Sequence, residues 1–359
     1  MVWPLSKIIP KRNLGIDIGT SSVKVVEIIR RGGRRKLENY GEIQTKTLFE
    51  KPFRTFEKST LSVSEDDVSR AIRAIIAEAG IKTKIANFSI PDFSSFFTSF
   101  ELPPMEREEL PQAVQYEARR HIPLPASEVT LDWQIIEGVV SRREKTPLKI
   151  LLVAVPNEVI NQYREIASLA HLELRALEAE VFGLSRALIT QEKKEEIVCL
   201  VDIGAQSTTC SIIDKGILKM SHSFDVSGNE LTSIISKSLG VSYNEAESLK
   251  RQIGLNPSEQ KIKEILSPLL DLIIAEIDKI SKAFYQAEGK KTQRVIVAGG
   301  SALIPRLTSY FSETLKLEKG VEIANPFSDI FYPPILEHTL REMGPSFSIA
   351  VGMALRGLD

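Results

Sequence analysis

The sequence predicts an α/β protein built from two similar lobes, and three observations predict it. An apolar strand ends at Asp17-Ile18-Gly19, then gives way to hydroxyl residues and a second strand-forming run. The same pattern returns at Asp202-Ile203-Gly204, 185 residues later. A third apolar strand, Val295 to Ala298, ends in Gly299-Gly300. That spacing is too long for a small repeat array and suits two domains of one design facing each other.

The first stretch runs from Leu14 to Lys24 and reads as strand, tight turn, strand, because Val23, Val25, Val26, Ile28 and Ile29 are β-formers. Gly19 lets a ligand approach the backbone closely, having no Cβ. Thr20, Ser21 and Ser22 add donors and Lys24 a positive charge, which suits an oxyanion such as a phosphate chain. Asp17 suits a hydrated divalent cation. Taken alone, a polar hairpin turn with a helpful glycine explains the stretch equally well. The second copy shifts the balance toward a site.

Further along, Ser64 with Asp67 three residues later predicts a capping box, and Val68, Ile72, Ile75 and Ala79 predict a helix closed by Gly80. A strand over 85–90 follows. Residues 87 to about 170 read as a small α+β insertion. It holds a helix over 106–120 whose regular part starts late because of Pro111, then strands over 129–140 and 148–155. Its last helix is capped by Asn157. A helical connector spans 178–188. In the second lobe, Asp214-Lys215-Gly216 predicts a turn. Gly228-Asn229 opens a helix closed by Gly240, and Ser242 with Glu245 makes another capping box. The long periodic helix from Ile265 to Phe284 should kink or divide at Pro268. Helix-like residues continue from the Gly299-Gly300 strand through Leu303 and Leu307, and a small-residue helix occupies 346–356.

Composition narrows the function classes. With 359 residues, 43% apolar and 26% charged, the chain reads as a soluble globular protein of two domains or one large bilobed unit. A net charge of −1 and a pI near 6.5 give no global pull toward nucleic acid. The basic run from Arg30 to Lys36 falls where a hairpin turns, so it reads as a solvated tip. Cys199 and Cys210 lie in apolar strands and are expected as buried free thiols; the cysteines and histidines show no metal-ligand spacing. No apolar run is long enough to span a membrane. The N-terminus, with Trp3, Leu5, Ile8 and Ile9, lacks a signal-peptide pattern and reads as an edge strand or loose terminus.

The three glycine-bearing stretches, in this order, resemble the phosphate-one, phosphate-two and adenosine motifs of the actin-like ATPase superfamily. Within it the chain is most similar to the PilM family of type IV pilus assembly, an FtsA-like branch. The stretches that carry this likeness are 15–24, 109–125, Leu131-Asp132-Trp133, Ala246-Glu247 with Lys250, Asn325-Pro326-Phe327 and 350–356. The resemblance implies a bilobed fold of duplicated ribonuclease H-like domains with an FtsA-type α+β insertion. Residues 1–86 and 171–195 would form the first lobe, 87–170 the insertion, 196–345 the second lobe, and 346–359 a helix returning to the first. It implies ATP or ADP with Mg²⁺ as cofactors. Asp17 and Asp202 would face each other and hold the metal through water. Gly19, Thr20, Ser21, Ser22 and Lys24 would line one side of the phosphates. Gly204, Ala205, Gln206, Ser207 and Thr208 would line the other, with Gly228 and Asn229 beside them. Glu247 and Lys250, at i, i+3, would reach ribose and adenine, a surface ion pair being the alternative. Gly299, Gly300, Ser301 and Ala302 would contact the adenosine.

Two departures from the superfamily pattern stand out. Ala205, Gln206 and Ser207 replace further glycines, and Ser227-Gly228 stands for a glycine pair. Backbone amides should keep binding intact. No residue is assigned to orient the attacking water, Gln206 being equally a turn residue, so hydrolysis is expected to be slow at best. The resemblance further implies a cytoplasmic scaffold, peripheral at the inner membrane. Its partners would be the N-terminal cytoplasmic tail of a PilN-like protein, held in a groove near the insertion, and pilus motor or platform proteins, with self-association besides. The alternatives are an FtsA-like division protein, which would be expected to end in a membrane helix where this chain stops at Leu358-Asp359, and a small-molecule kinase of the superfamily.

Overall fold

A computed structural model describes residues 10–45, 54–57, 60–143 and 145–358. The apolar N-terminus read from the sequence lies outside the described residues. Strands β1 (Lys11–Ile18), β2 (Ser22–Arg31) and β3 (Arg34–Gln44) form an antiparallel meander. The β2–β3 turn falls at Gly32-Gly33, both with positive φ, which puts the basic run at a hairpin tip as expected. A short hairpin, β4 (Arg54–Glu57) and β5 (Thr60–Val63), precedes helix α1 (Glu65–Glu78). β6 (Ile85–Ile90) joins β1 in parallel, and β10 (Glu173–Ala179) joins β6 in parallel. The sheet order is therefore β10-β6-β1-β2-β3.

The second lobe repeats this plan strand for strand. β11 (Ile197–Ile203), β12 (Thr208–Asp214) and β13 (Ile217–Phe224) form the meander, and β14 (Arg294–Ala298) and β15 (Val321–Ile323) add the parallel edge. Its order is β15-β14-β11-β12-β13. Lys215 and Gly216, both with positive φ, make the predicted tight turn. Cys199 and Cys210 are free and buried in this sheet; the Cys199 hydrogen bond and burial push the Cys210 thiol up.

Five layers result. α1 and α3 (Asn157–Leu169) cover the outer face of the first sheet. α4 (Glu180–Leu188) and α9 (Glu337–Leu355) lie between the two sheets in the central core. The outer face of the second sheet carries α5 (Gly228–Leu239), α6 (Tyr243–Gln252), α7 (Gln260–Glu288) and α8 (Leu307–Leu315). Glycines make the middle layer thin. A Cβ on Gly15 would lie 1.9 Å from the Ala350 carbonyl oxygen, and one on Gly352 would lie 1.8 Å from that of Gly183. Only backbone fits at both crossings.

A separate sheet, β7-β9-β8, comprises β7 (Phe96–Leu102), β8 (Val129–Glu137) and β9 (Leu148–Pro156), with α2 (Leu110–Ala118) packed on it. It takes the chain from 96 to 156, a narrower span than 87–170. The difference has a physical reason: β6 is a parallel partner of β1, and Val159, Tyr163 and Ile166 of α3 bury into the first lobe's core.

Several local expectations need correction. Ser64 does not cap α1 as an acceptor; its hydroxyl donates to Asp67 Oδ2 at 2.9 Å. Asn157 is the first residue of α3, not its cap, and its side chain instead ties Thr130 and Ser127. α7 runs through Pro268 undivided. After Gly300 the chain makes turns, and α8 begins only at Leu307. α9 starts nine residues earlier than 346, at Glu337, with Pro345 inside it. Ser242 caps α6 as expected, accepting from the Glu245 amide.

Candidate functional site

In each lobe the first strand runs through Asp-Ile and turns at the following glycine into a short hairpin connection, 19–21 in the first lobe and 204–207 in the second. Gly19 N–H donates to the Ser22 carbonyl at 2.8 Å, and Gly204 N–H donates to the Ser207 carbonyl at 3.0 Å. The two turns thus close with the same bond at matching positions. They also meet. The Thr20 hydroxyl donates to Gln206 Oε1 at 3.4 Å, joining residues 186 positions apart. This contact brings the tips of the two turns together.

The two aspartates differ in surroundings. Asp17 is buried; its Oδ1 accepts from the Ser89 hydroxyl at 2.8 Å, and its Oδ2 lies 3.7 Å from Lys24 Nζ. Lys24 faces Asp17 across the hairpin register, so its charge is shared between that carboxylate and the crevice. Asp202 is half-buried beside Ala298 of β14. A Cβ on Gly299 would lie 2.5 Å from Asp202 Oδ1 and 2.5 Å from the Ile203 carbonyl, and Gly299 itself has φ +90°. Glycine is required there on both counts. Around Gly300 nothing lies within 4 Å of where a Cβ would sit, leaving open floor.

Other expected residues gather on the second lobe. Gly228 N–H donates to the Gly204 carbonyl, and Asn229 N–H to that of Ala205. A Cβ on Gly228 would meet Ser301 Oγ at 2.5 Å. The second turn, the start of α5 and the Gly299 strand end therefore converge on one point. Thr208, by contrast, is fully buried and donates to the Val226 carbonyl, so its hydroxyl braces the hairpin. Ala302 is buried in the lobe's core.

Glu247 and Lys250 do not form a surface pair. Lys250 is 3% exposed and donates to the Gly228 carbonyl at 2.9 Å and the Thr232 hydroxyl at 2.7 Å. It also lies 2.7 Å from Glu247 Oε2. Burial pushes the Glu247 carboxyl up, but Lys250, Thr232 and Arg251 outweigh it and hold the carboxyl down at about 2. The cluster anchors the start of α5. Ser89 and Thr232 are partners that sequence reasoning missed. Ser89 sits on β6, in register with no motif, and Thr232 reads as one of many polar helix residues.

The residues present fit a magnesium nucleotide. One carboxylate at each turn would suit a hydrated Mg²⁺ that also takes phosphate oxygens. Glycines at 228 and 299 let the second turn, the start of α5 and the end of β14 pack closely together, and Gly300 leaves open space beside them. Among the described residues there is no group of three or more His, Cys, Asp or Glu that could hold a metal ion.

A second concavity, of about 610 Å³, lies between the β7-β9-β8 sheet and β10. Leu131, Trp133, Leu151, Leu177 and Phe182 give it an apolar floor, with Arg164 and Arg175 at its side. Both β8 and β10 are edge strands. Among the described residues no helix is long and apolar enough to cross a membrane.

Comparison with known proteins agrees with this architecture. The family described as type IV pilus assembly protein PilM matches residues 15–358. Cell division protein FtsA of Enterococcus faecalis is 24% identical, covering 87% of this chain and 78% of the relative. Among solved structures, the PilM-PilN type IV pilus biogenesis complex superposes with a TM-score of 0.80 at 23% identity, covering 97% of this chain and 98% of the other. MreB5 of Spiroplasma citri bound to AMPPNP gives 0.51 at 12%, covering 95% and 94%. The duplicated sheets and intervening helices are thus a bilobed actin-like fold. With that family matched from residue 15 to residue 358, the chain belongs to the PilM family of type IV pilus assembly proteins.

Proposed function

We propose that the chain is an ATP-binding cytoplasmic scaffold of the type IV pilus inner-membrane assembly complex, which holds the N-terminal tail of a PilN-like protein and links it to the pilus motor. The observation that supports the nucleotide part is the Thr20–Gln206 contact, which brings the two Asp-Ile-Gly turns together. Asp17 and Asp202 hold Mg²⁺ through water. The other amides of the two turns, within 20–22 and 205–208, receive the phosphates. Gly228 and Asn229, whose own amides bond the Gly204 and Ala205 carbonyls, fix the α5 N-terminus beside the second turn. Glu247 and Lys250 act on the nucleotide edge and by fixing that terminus, while Gly299 to Ala302 floor the adenosine. Bound Mg²⁺–ATP supplies a bridge between lobes. Turnover is slow at best, with Gln206 at the second turn the candidate to orient the attacking water.

The concavity between β8, β9 and β10 suits an extended peptide. Its apolar floor accepts alternate side chains and its two edge strands offer backbone partners. Calorimetry with a synthetic PilN-like tail tests this. Micromolar binding is expected, with Leu177→Glu weakening it at least about tenfold. Absence of heat with the wild-type chain, with and without ATP, removes the tail from the account.

A further inference from the structure

The net charge of −1 conceals a strongly basic end. The strand starts β1 and β6, the end of β2 and the β2–β3 turn all lie at the end of the first sheet away from the Asp17 turn. At that turn Arg31 and Arg34 are exposed and flank Gly32-Gly33, with Arg35 and Lys36 next. Lys11 and Arg12 begin β1, and Lys82 and Lys84 lead into β6; all four are exposed. Against them stand Glu38, Glu78 and Glu173, while Glu27 is buried and engaged by Asn39 and Arg12.

One large apolar side chain sits beside these cations, and a second lies four residues further along the chain. The Phe331 amide donates to the Arg35 carbonyl, and the Leu37 amide donates to the Phe331 carbonyl, so residue 331 is stitched to the base of the basic turn. Phe331 is 63% exposed and Ile335 87% exposed. Water-facing apolar groups next to a cation cluster fit an interface that is anionic at its surface and apolar just beneath. Duplex nucleic acid offers the charge without the apolar layer.

We propose that this basic end docks directly on an anionic bilayer, with Arg31, Arg34, Arg35 and Lys36 on the headgroups and Phe331 and Ile335 dipping below them. The proposal does not depend on nucleotide or on a PilN-like tail. Nevertheless the groove reaches the same end, since Arg175 and Arg356 are part of its lining and Asn13 of β1 bonds the Arg356 carbonyl. A tail rooted in the membrane would then find its groove turned toward the bilayer.

The test is co-sedimentation of the full chain with vesicles containing about 30 mol % phosphatidylglycerol in phosphatidylcholine, against phosphatidylcholine alone. Binding is expected to the anionic vesicles only and to fade between about 50 mM and about 500 mM salt. Each cation near the surface is worth about fivefold, so R31A/R34A/R35A should weaken binding about 100-fold. Phe331→Ser with Ile335→Ser should weaken it at higher salt as well. All but the half-buried Arg35 are exposed side chains, and an unchanged Tm with unchanged nucleotide affinity checks that both variants fold. Equal binding to neutral vesicles, no binding to either, full binding by the triple variant, or binding to duplex DNA but not vesicles each overturns the proposal.

Discussion

Lys250 shows how one buried cation organises its surroundings. Its ammonium meets the Gly228 carbonyl, the Thr232 hydroxyl and the Glu247 carboxylate within 2.9 Å. Glu247 titrates at about 2 in the folded chain against an ordinary 4.5. A depressed carboxyl stabilises the fold fully above about 4.5, and that contribution is lost as pH falls from there through about 2. The whole shift corresponds to roughly 3 kcal/mol, and solvent at this half-covered group reduces it to about 1–2 kcal/mol. Glu247→Gln should therefore lower Tm at pH 7, with the gap to wild type closing between pH 4.5 and 2. A gap independent of pH would assign the loss to packing. At this scale the sequence showed the i, i+3 pair but not its setting. Spacing on one helix says nothing of a carbonyl on the next, so Thr232 and the Gly228 carbonyl stayed invisible. Asp17 was legible because the strand-glycine-hydroxyl chemistry around it is local. Its partner Ser89 arrives from a parallel strand seventy-two residues away.

Among elements, α9 carries the greatest constraint. It packs on α4 and β1 through glycines 15, 183 and 352 and lies between the sheets. Gly352→Val places a side chain where the Gly183 carbonyl stands and should cost roughly 3 kcal/mol, read as a fall in the urea midpoint. An unchanged midpoint would mean that α9 can slide off α4. Small residues made the later half of this helix legible, whereas Gly344-Pro345 concealed the first half. Several strands escaped notice, β7 and β10 among them. β10 reads Glu-Leu-Arg-Ala-Leu-Glu-Ala, a helix-former composition, and the irregularity between Leu174 and Ala176 breaks its alternation. Sheet pairing with β6 overrides that propensity. β7 is a half-exposed edge strand whose apolar residues do not alternate cleanly.

Across the whole molecule, the two lobes are joined at the crevice and behind it. Gly299 N–H donates to the Pro345 carbonyl of α9, so the strand end that floors the crevice is bonded to the helix seated on β1. A nucleotide that draws the two turns together would pull on that same helix. The duplication was legible from two Asp-Ile-Gly turns because each is a short local pattern. The five-layer stack was not, since layer order depends on which faces of α4 and α9 meet which sheet. The limits of the insertion stayed hidden for the same reason: α3 follows β9 in the chain yet buries in another core.

The central claim is that both aspartates, one from each lobe, act together on magnesium–ATP. Isothermal titration of Mg²⁺–ATP into wild type, Asp17→Asn and Asp202→Asn tests it most directly, with Mg²⁺-free ATP as the reference. Each variant should weaken Mg²⁺–ATP by at least about tenfold and lose most of the magnesium dependence, with Asp202→Asn keeping the wild-type Tm. Wild-type affinity and magnesium dependence in Asp202→Asn would contradict the account, leaving the metal with one lobe and the crevice without its purpose.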